Sequence, residues 1–104
     1  MSVLLEFSMF PTDRGESVST PVSLVVAEIR ASGLPYRLTP MGTIVESDQL
    51  GPVLSLVERC YRVLEQTGCR RVYASLKLDI RSGQKNRMQA KLDSVKEKIG
   101  DVAI

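Results

Sequence analysis

Hydrophobic and polar residues alternate in two stretches of the chain, which is the two-residue period of a β-strand. The first stretch, residues 2–10, places four apolar side chains on one face: Val3, Leu5, Phe7 and Met9. The second, residues 70–81, places five on one face: Val72, Ala74, Leu76, Leu78 and Ile80. The opposite face of each stretch is more polar, so each pattern predicts a strand with one face on a core.

Three other stretches repeat apolar residues every three or four positions, which is typical of a helix with one buried face. The first helix is expected to contain Pro21 in its first turn, with Ser19 or Thr20 as its cap, and to end at Gly33. The second begins within residues 48–52 and ends at Gly68, and the third occupies the C-terminal region. The apolar stripes are Val22, Val25, Val26 and Ile29; Val53, Val57, Cys60, Tyr61 and Leu64; and Met88, Leu92, Val95 and Ile99.

The middle of the chain combines two short extended runs with a turn. Residues 36–38 and 43–46 are expected to form an antiparallel pair, joined by residues 39–42. Pro40 presets the φ angle for a turn, and Gly42 tolerates backbone geometry that a Cβ atom would forbid. The predicted order of elements is therefore β-α-β-β-α-β-α.

This order predicts an α+β fold of the ferredoxin-like type, βαββαβ, with a four-stranded antiparallel sheet, two helices on one face and an additional C-terminal helix. A length of 104 residues suits a single domain spanning residues 1–104. The other sheet face is expected to carry Leu4, Glu6, Ser8, Tyr73, Ser75 and Lys77. This mixture is too apolar to remain bare and too polar for a core. We therefore expect self-association, to a dimer or tetramer, through this open sheet face.

Composition excludes some classes of function. Hydrophobic residues make up 43% and charged residues 25% of the chain, as in ordinary globular proteins. The net charge of +2 does not indicate a nucleic-acid partner, and the sequence contains no histidine, the commonest general base and metal ligand. No apolar run approaches the roughly 20 residues of a membrane-spanning helix, so no membrane partner is expected.

The two cysteines, Cys60 and Cys69, are expected to be reduced thiols. The N-terminus has no basic region ahead of its apolar run, which differs from a secretory signal peptide. Together these features favour a cytoplasmic location.

Three strings resemble the thiamine-binding protein family, small ferredoxin-like domains of the YkoF-like superfamily. They are F-S-M-F-P-T-D-R-G-E-S-V-S at residues 7–19, G-L-P-Y-R-L-T-P-M-G-T-I-V-E at residues 33–46, and R-R-V-Y-A-S-L-K-L-D-I-R at residues 70–81. The resemblance extends from Leu4 to about Ile99, and the middle string is its most specific part. It implies a protein that forms dimers or tetramers, binds thiamine or its hydroxymethylpyrimidine moiety, and is not an enzyme.

The resemblance also implies ligand-binding residues: Ser17, Ser19, Thr39, Met41, Gly42, Thr43 and Glu46. Thiamine joins a flat aminopyrimidine to a cationic thiazolium, so its site needs an acceptor for the amine hydrogens, hydroxyl donors and an apolar wall. Glu46 would supply the carboxylate, the serines and threonines the hydroxyls, and Met41 an adaptable wall. No metal or other cofactor is expected.

Each of these residues has a structural alternative. Ser19 is also suited to capping a helix, Thr43 is a common strand residue, and Met41 suits packing in a core. Glu46 is equally suited to exposure in solvent or to capping the helix that follows it. We expect Lys77 to pair with Glu6 across strands or between subunits, and we expect three further basic residues to be a solvated charge run: Arg81, Lys85 and Arg87.

The leading hypothesis is a non-catalytic cytoplasmic binding protein for thiamine or hydroxymethylpyrimidine that acts as an oligomer, as a carrier or sensor. The alternative is a structural or regulatory oligomeric scaffold without a small-molecule ligand. RNA binding would need several aromatics on the sheet surface, whereas Tyr73 is the only one on the outer face of the last strand. Catalysis is disfavoured because Cys60 lies on an apolar stripe, where a thiol is inert. Thiamine, its phosphates and the free pyrimidine remain alternatives.

Overall fold

The computed structural model describes all 104 residues, and its four strands form one antiparallel sheet. The spatial order of the strands is β2-β3-β1-β4, so β2 and β4 are the two edges. In chain order the elements are β1 (Ser2–Pro11), α1 (Ser19–Ala31), β2 (Tyr36–Thr39), β3 (Gly42–Ser47), α2 (Leu50–Glu65), β4 (Val72–Arg81) and α3 (Arg87–Ile99). This topology confirms the ferredoxin-like βαββαβ fold with an additional C-terminal helix.

One face of the sheet packs against α1 and α2 and forms the hydrophobic core. As the alternation predicts, β1 contributes one row of side chains to it. The core residues are Val3, Leu5, Phe7, Met9, Val25, Ile29, Val45, Val53, Leu56, Cys60 and Leu64. None of the three helices is long and apolar enough to cross a membrane.

The buried stripe of α2 differs from the predicted one. Leu56 is completely buried, although the prediction omitted it, and Tyr61 is exposed, although the prediction included it. Residues 53, 56, 60 and 64 follow the three- and four-residue steps of one helix face. Tyr61 lies beside that face, and its hydroxyl is within 3.3 Å of the Glu65 carboxylate one turn later.

The start of α1 also differs from the prediction, since neither Ser19 nor Thr20 caps it. Val18 occupies the N-cap position and makes no side-chain capping hydrogen bond. Ser19 is already helical, and its hydroxyl lies 3.4 Å from that of Ser17. The first turn is exposed, so water can hydrate its free N–H groups in place of a side-chain cap.

The third helix folds back over the sheet face opposite α1 and α2. It covers the end of that face around Leu4, which is buried. Met88 and Leu92 in the first half of α3 line a cleft against this face, whereas Val95 and Ile99 are exposed. The chain's own C-terminal helix thus covers part of the face for which the sequence predicted a second subunit as the cover.

The full burial of Leu56 yields a test of the core. Replacing Leu56 by alanine should lower the free energy of unfolding by about 3 kcal/mol, because it removes apolar contacts and leaves a cavity. Leu54→Ala, at an exposed position two residues away in the same helix, should cost less than about 1 kcal/mol. Urea unfolding followed by circular dichroism measures both. Equal losses would contradict the orientation of α2, in which Leu56 faces the core and Leu54 faces solvent.

Candidate functional site

The turn between β2 and β3 is closed by a side chain. The Thr39 hydroxyl donates a hydrogen bond to the Gly42 carbonyl at 2.8 Å and accepts one from the Met41 N–H at 3.2 Å. A hydroxyl has one donor and two acceptor positions. One acceptor position of Thr39 is therefore still free for a ligand.

Gly42 is required by a close approach of two strands. A Cβ atom at this position would lie 3.0 Å from the carbonyl oxygen of Phe7. The φ angle of Gly42 is outside the left-handed region, so the turn itself would accept other residues. The expectation that Gly42 supplies unusual turn geometry is corrected: it lets β3 lie close against β1.

Four of the seven predicted site residues line one cavity of about 340 Å³, which we call the turn cavity. It lies between the β2–β3 turn, the last half of β1 and α1. The predicted residues in its lining are Thr39, Met41, Gly42 and Thr43; the others include Ser8, Phe10, Val22 and Val26. Its lining is mainly apolar, and Thr43 contributes a hydroxyl from the helix-facing side of the sheet.

Thr43 and Met41 occupy different environments in the turn cavity. Thr43 is buried and pairs with Phe7 of β1, so its side chain lies on the helix-facing side of the sheet. Met41 is 89% exposed at the tip of the turn. Met41 therefore does not pack in the core, the structural alternative that its sequence suggested.

Ser17 and Ser19 lie outside the lining of the turn cavity but close to one wall. Both are exposed at the start of α1. Ser19 precedes Val22 by three residues in the helix, so the two side chains share one helical face. The two serines are thus about one turn beyond the wall that Val22 contributes.

Glu46 is separated from the other predicted site residues. Thr43 and Glu46 are three positions apart in β3, and side chains at odd spacings point to opposite faces of a sheet. Glu46 therefore faces α3 rather than the turn cavity. The spacing alone could have revealed this separation before the structure.

The Glu46 carboxylate caps the N-terminus of α3. It accepts hydrogen bonds from the Ser2 hydroxyl at 2.7 Å, the Arg87 N–H at 2.8 Å and the Met88 N–H at 3.2 Å. Burial favours a raised pKa, but these three donors outweigh it, so the pKa of Glu46 is lowered from its ordinary value. The sequence suggested a cap on the helix that follows Glu46, whereas the structure shows it on the last helix.

Arg87 is a structural residue that the sequence did not reveal. It was expected in a solvated charge run, yet it is buried. Its guanidinium lies 3.0 Å from the Asp79 carboxylate and donates to the backbone carbonyls of Ser2, at 3.1 Å, and Asp79, at 2.5 Å. Lys91 approaches the same carboxylate at 2.8 Å, and hydrogen bonds from Lys91 and Arg87 hold the pKa of Asp79 below its usual value.

Two further cavities flank α3. One, of about 750 Å³, has mostly polar residues in its lining, among them Glu46, Asp48 and Asn86. The other, of about 600 Å³, lies between α3 and the open sheet face. Glu6 and Lys77 on its rim form the expected cross-strand ion pair, with 3.3 Å between the charged atoms.

The two cysteine thiols, those of Cys60 and Cys69, lie in environments that serve the fold. Burial raises the pKa of Cys60 to about 12, so its reactive thiolate form is scarce at neutral pH. Cys69 donates a hydrogen bond to the Leu64 carbonyl at 3.1 Å. Both cysteines are free thiols.

The fold and the turn cavity define a small ferredoxin-like domain with an apolar, hydroxyl-bearing cavity at one end of its sheet. The chain belongs to the thiamine-binding protein family, whose model, described as "Thiamine-binding protein", matches residues 5–96. This match confirms the family that the three sequence strings suggested.

Relatives and solved structures agree with this membership. A UPF0045 protein of Mycobacterium bovis is 36% identical over 95 residues, which cover 91% of this chain and 92% of the relative. A hypothetical protein of Methanocaldococcus jannaschii has a crystal structure with a TM-score of 0.81 and 31% identity, covering 92% and 97% of the two chains. A Thermotoga maritima protein, described as a candidate thiamine biosynthesis/salvage protein, has a TM-score of 0.73 at 20% identity over 95% and 96%. The last likeness is one of fold alone.

The cap formed by Glu46 leads to a prediction with a pH dependence. Glu46→Gln should lower the free energy of unfolding by about 2 kcal/mol at pH 7, because a hydrogen-bonded carboxylate is lost at the start of α3. The folded-state pKa is lowered, so the ionised form stabilises the fold above the unfolded pKa of about 4.3. This contribution disappears as the pH falls below that value and through the lowered folded pKa.

The difference between the wild type and Glu46→Gln should therefore shrink when urea unfolding is repeated near pH 3. Glu58→Gln is the matched control, since Glu58 lies in an exposed ion pair with Arg62 and such pairs contribute little. If Glu46→Gln lowers the free energy of unfolding equally at pH 7 and near pH 3, the ionised form of Glu46 is not what stabilises the start of α3.

Proposed function

We propose that the chain is a non-catalytic cytoplasmic binding protein for thiamine or its hydroxymethylpyrimidine moiety, and that it acts as an oligomer in a carrier or sensor role. Family membership and the description of the Thermotoga maritima neighbour support this proposal. The observation that carries it is the turn cavity, because the string most specific to the family forms one of its walls.

The turn cavity suits the pyrimidine part of thiamine. Its volume of about 340 Å³ is at the lower end of small-molecule sites. Val22 and Val26 offer a flat apolar surface for an aromatic ring, with Met41 as an adaptable edge. The Thr43 hydroxyl, which lies on the same side of the sheet as Val22 and Val26, is the group for a ring nitrogen or the amine.

Ser17 and Ser19 would contact the part of the ligand that projects beyond Val22 towards solvent. Glu46 faces away from the turn cavity within one chain, so in this proposal it has an indirect role. Its carboxylate holds α3 against the sheet, and backbone carbonyls or hydroxyls would accept the amine hydrogens in its place.

We place oligomerisation on the half of the open sheet face that α3 leaves uncovered. Phe10 and Tyr73 lie there with their ring centroids 5.9 Å apart, and Ser8 and Ser75 separate them from the Glu6–Lys77 ion pair. A surface aromatic pair suits a protein interface, in which aromatic residues are enriched.

The second candidate function is an oligomeric scaffold without a ligand. One observation favours it: the polar groups of Thr39 and Glu46 already have partners within the chain. A scaffold would keep these bonds for structure alone.

Calorimetric titration of the purified chain, stripped of any bound ligand, tests the leading proposal. Thiamine and hydroxymethylpyrimidine should each bind with a Kd in the micromolar range or tighter. Thr43→Val preserves the shape of the side chain but removes its hydroxyl, so it should weaken binding by up to about tenfold, the equivalent of one lost hydrogen bond.

Thr67→Val is the control, because it removes a hydroxyl that bonds locally to the Leu64 carbonyl and does not line the turn cavity. Binding that Thr43→Val leaves unchanged would assign the ligand to another site. No heat and no thermal shift at millimolar thiamine would reject the ligand and favour the scaffold.

A further inference from the structure

The cleft of about 600 Å³ between α3 and the open sheet face has the size of a small-molecule site. Its floor crosses all four strands, and three strand spacings make it roughly 14 Å long. Its roof is the first half of α3. We call it the α3 cleft, and the residues of its lining that define it are Leu4, Arg37, Ile44, Lys77, Met88 and Leu92.

The middle of the α3 cleft is apolar on two sides. On the floor, Leu4 of β1 is buried and Ile44 of β3 is half-buried. On the roof, Met88 and Leu92 are both half-buried, and their spacing of four residues places them on one face of α3. An apolar body between these walls would lose water from both of its sides, which favours its binding.

Most charges that line the α3 cleft are neutralised within the chain. Lys77 lies 3.3 Å from the carboxylate of Glu6. The Asp79 carboxylate lies 2.8 Å from Lys91 and 3.0 Å from Arg87. Both carboxylates of the lining therefore already have cationic partners, and neither requires a cation from a ligand.

Arg37 differs from the other charged residues of the lining, because it forms no ion pair. It is half-buried in β2, and its guanidinium donates a hydrogen bond to the side-chain oxygen of Gln89 in α3. Gln89 is neutral. A guanidinium has five N–H donors, so Arg37 retains donors for a further acceptor. A half-buried cation without a counter-ion favours an anionic ligand.

We propose that the α3 cleft binds a carboxylic acid with an aliphatic body, of the class of the medium-chain fatty acids. Its carboxylate lies on Arg37, whose planar guanidinium matches two carboxylate oxygens in a bidentate pair. Its hydrocarbon chain lies across the sheet from β2 towards β4. The floor of Ile44 and Leu4 and the roof of Met88 and Leu92 enclose that chain.

This site differs from the turn cavity in position and in the charge of its ligand. Leu38 and Thr39 are the only residues that line both. The thiazolium of thiamine is cationic, and Arg37 would repel it. The carboxylate site therefore does not rest on thiamine binding, and either can fail without the other.

Calorimetric titration with three probes of equal chain length tests the class of ligand: decanoate, decanol and decyltrimethylammonium, each dissolved below the concentration at which it forms micelles. Decanoate should bind with one molecule per chain. Decanol should bind at least about tenfold more weakly, because it lacks the charge-assisted pair with Arg37, and decyltrimethylammonium should not bind. Equal affinity for all three probes, or no binding of decanoate, would overturn the proposal.

Arg37→Gln tests the contact with the carboxylate. It should weaken decanoate binding at least about tenfold and leave decanol binding unchanged, a difference that a general loss of structure would not produce. Arg81→Gln is the matched control, because Arg81 is exposed at the end of β4 and lies outside the lining of the α3 cleft. Unchanged decanoate binding by Arg37→Gln, or equal weakening by both variants, would overturn the role of Arg37.

Leu92→Trp tests the apolar slot independently of Arg37, because the larger side chain fills the cleft. It should weaken the binding of decanoate and of decanol about tenfold or more. Ile99→Trp is the matched control, at a position of the same helix that is 71% exposed and outside the lining. Urea unfolding checks that both variants fold. Decanoate binding that Leu92→Trp leaves unchanged would exclude the α3 cleft as the site.

Discussion

The carboxylate of Glu46 fixes α3 on one face of the sheet, opposite the face that α1 and α2 cover. It lies buried near the end of the inner strand β3 and accepts hydrogen bonds from two N–H groups in the first turn of α3, where the helix dipole favours a negative charge. Arg87, the first residue of that helix, then reaches back to the Ser2 carbonyl and to Asp79. Three strands and one helix are joined by this single network, which fixes α3 over one end of the open face.

One strand links this network to the turn cavity. β3 presents Thr43 to the helix side and Glu46 to the opposite side, so the cavity and the anchor of α3 lie on different faces of the same six residues. A shift of β3 would disturb both. The close approach at Gly42 opposes such a shift, because the Phe7 carbonyl oxygen lies only 3.0 Å from where a Cβ atom would stand and β3 is held tightly to β1.

The sequence predicted the elements and their order because both depend on local periodicity and turn residues. It misplaced features that depend on tertiary geometry. Arg87 was expected in solvent, since nothing nearby in the chain reveals that Ser2 and Asp79 will surround it. Glu46 and Thr43 were grouped because they share a string, although their odd spacing in a strand separates them.

The difference between local periodicity and tertiary geometry also explains why the apolar row of β4 is exposed. Alternation identifies which side chains of a strand share a face. Whether those side chains are buried depends on where the helices lie across the sheet. In this fold α1 and α2 cover β1 and β3, and the apolar row of β4 remains outside them. A monomer would be expected to protect such an edge with a proline, a bulge or an inward charge. β4 has instead kept a regular backbone without a proline, and its charged side chains Lys77 and Asp79 are held by ion pairs within the chain.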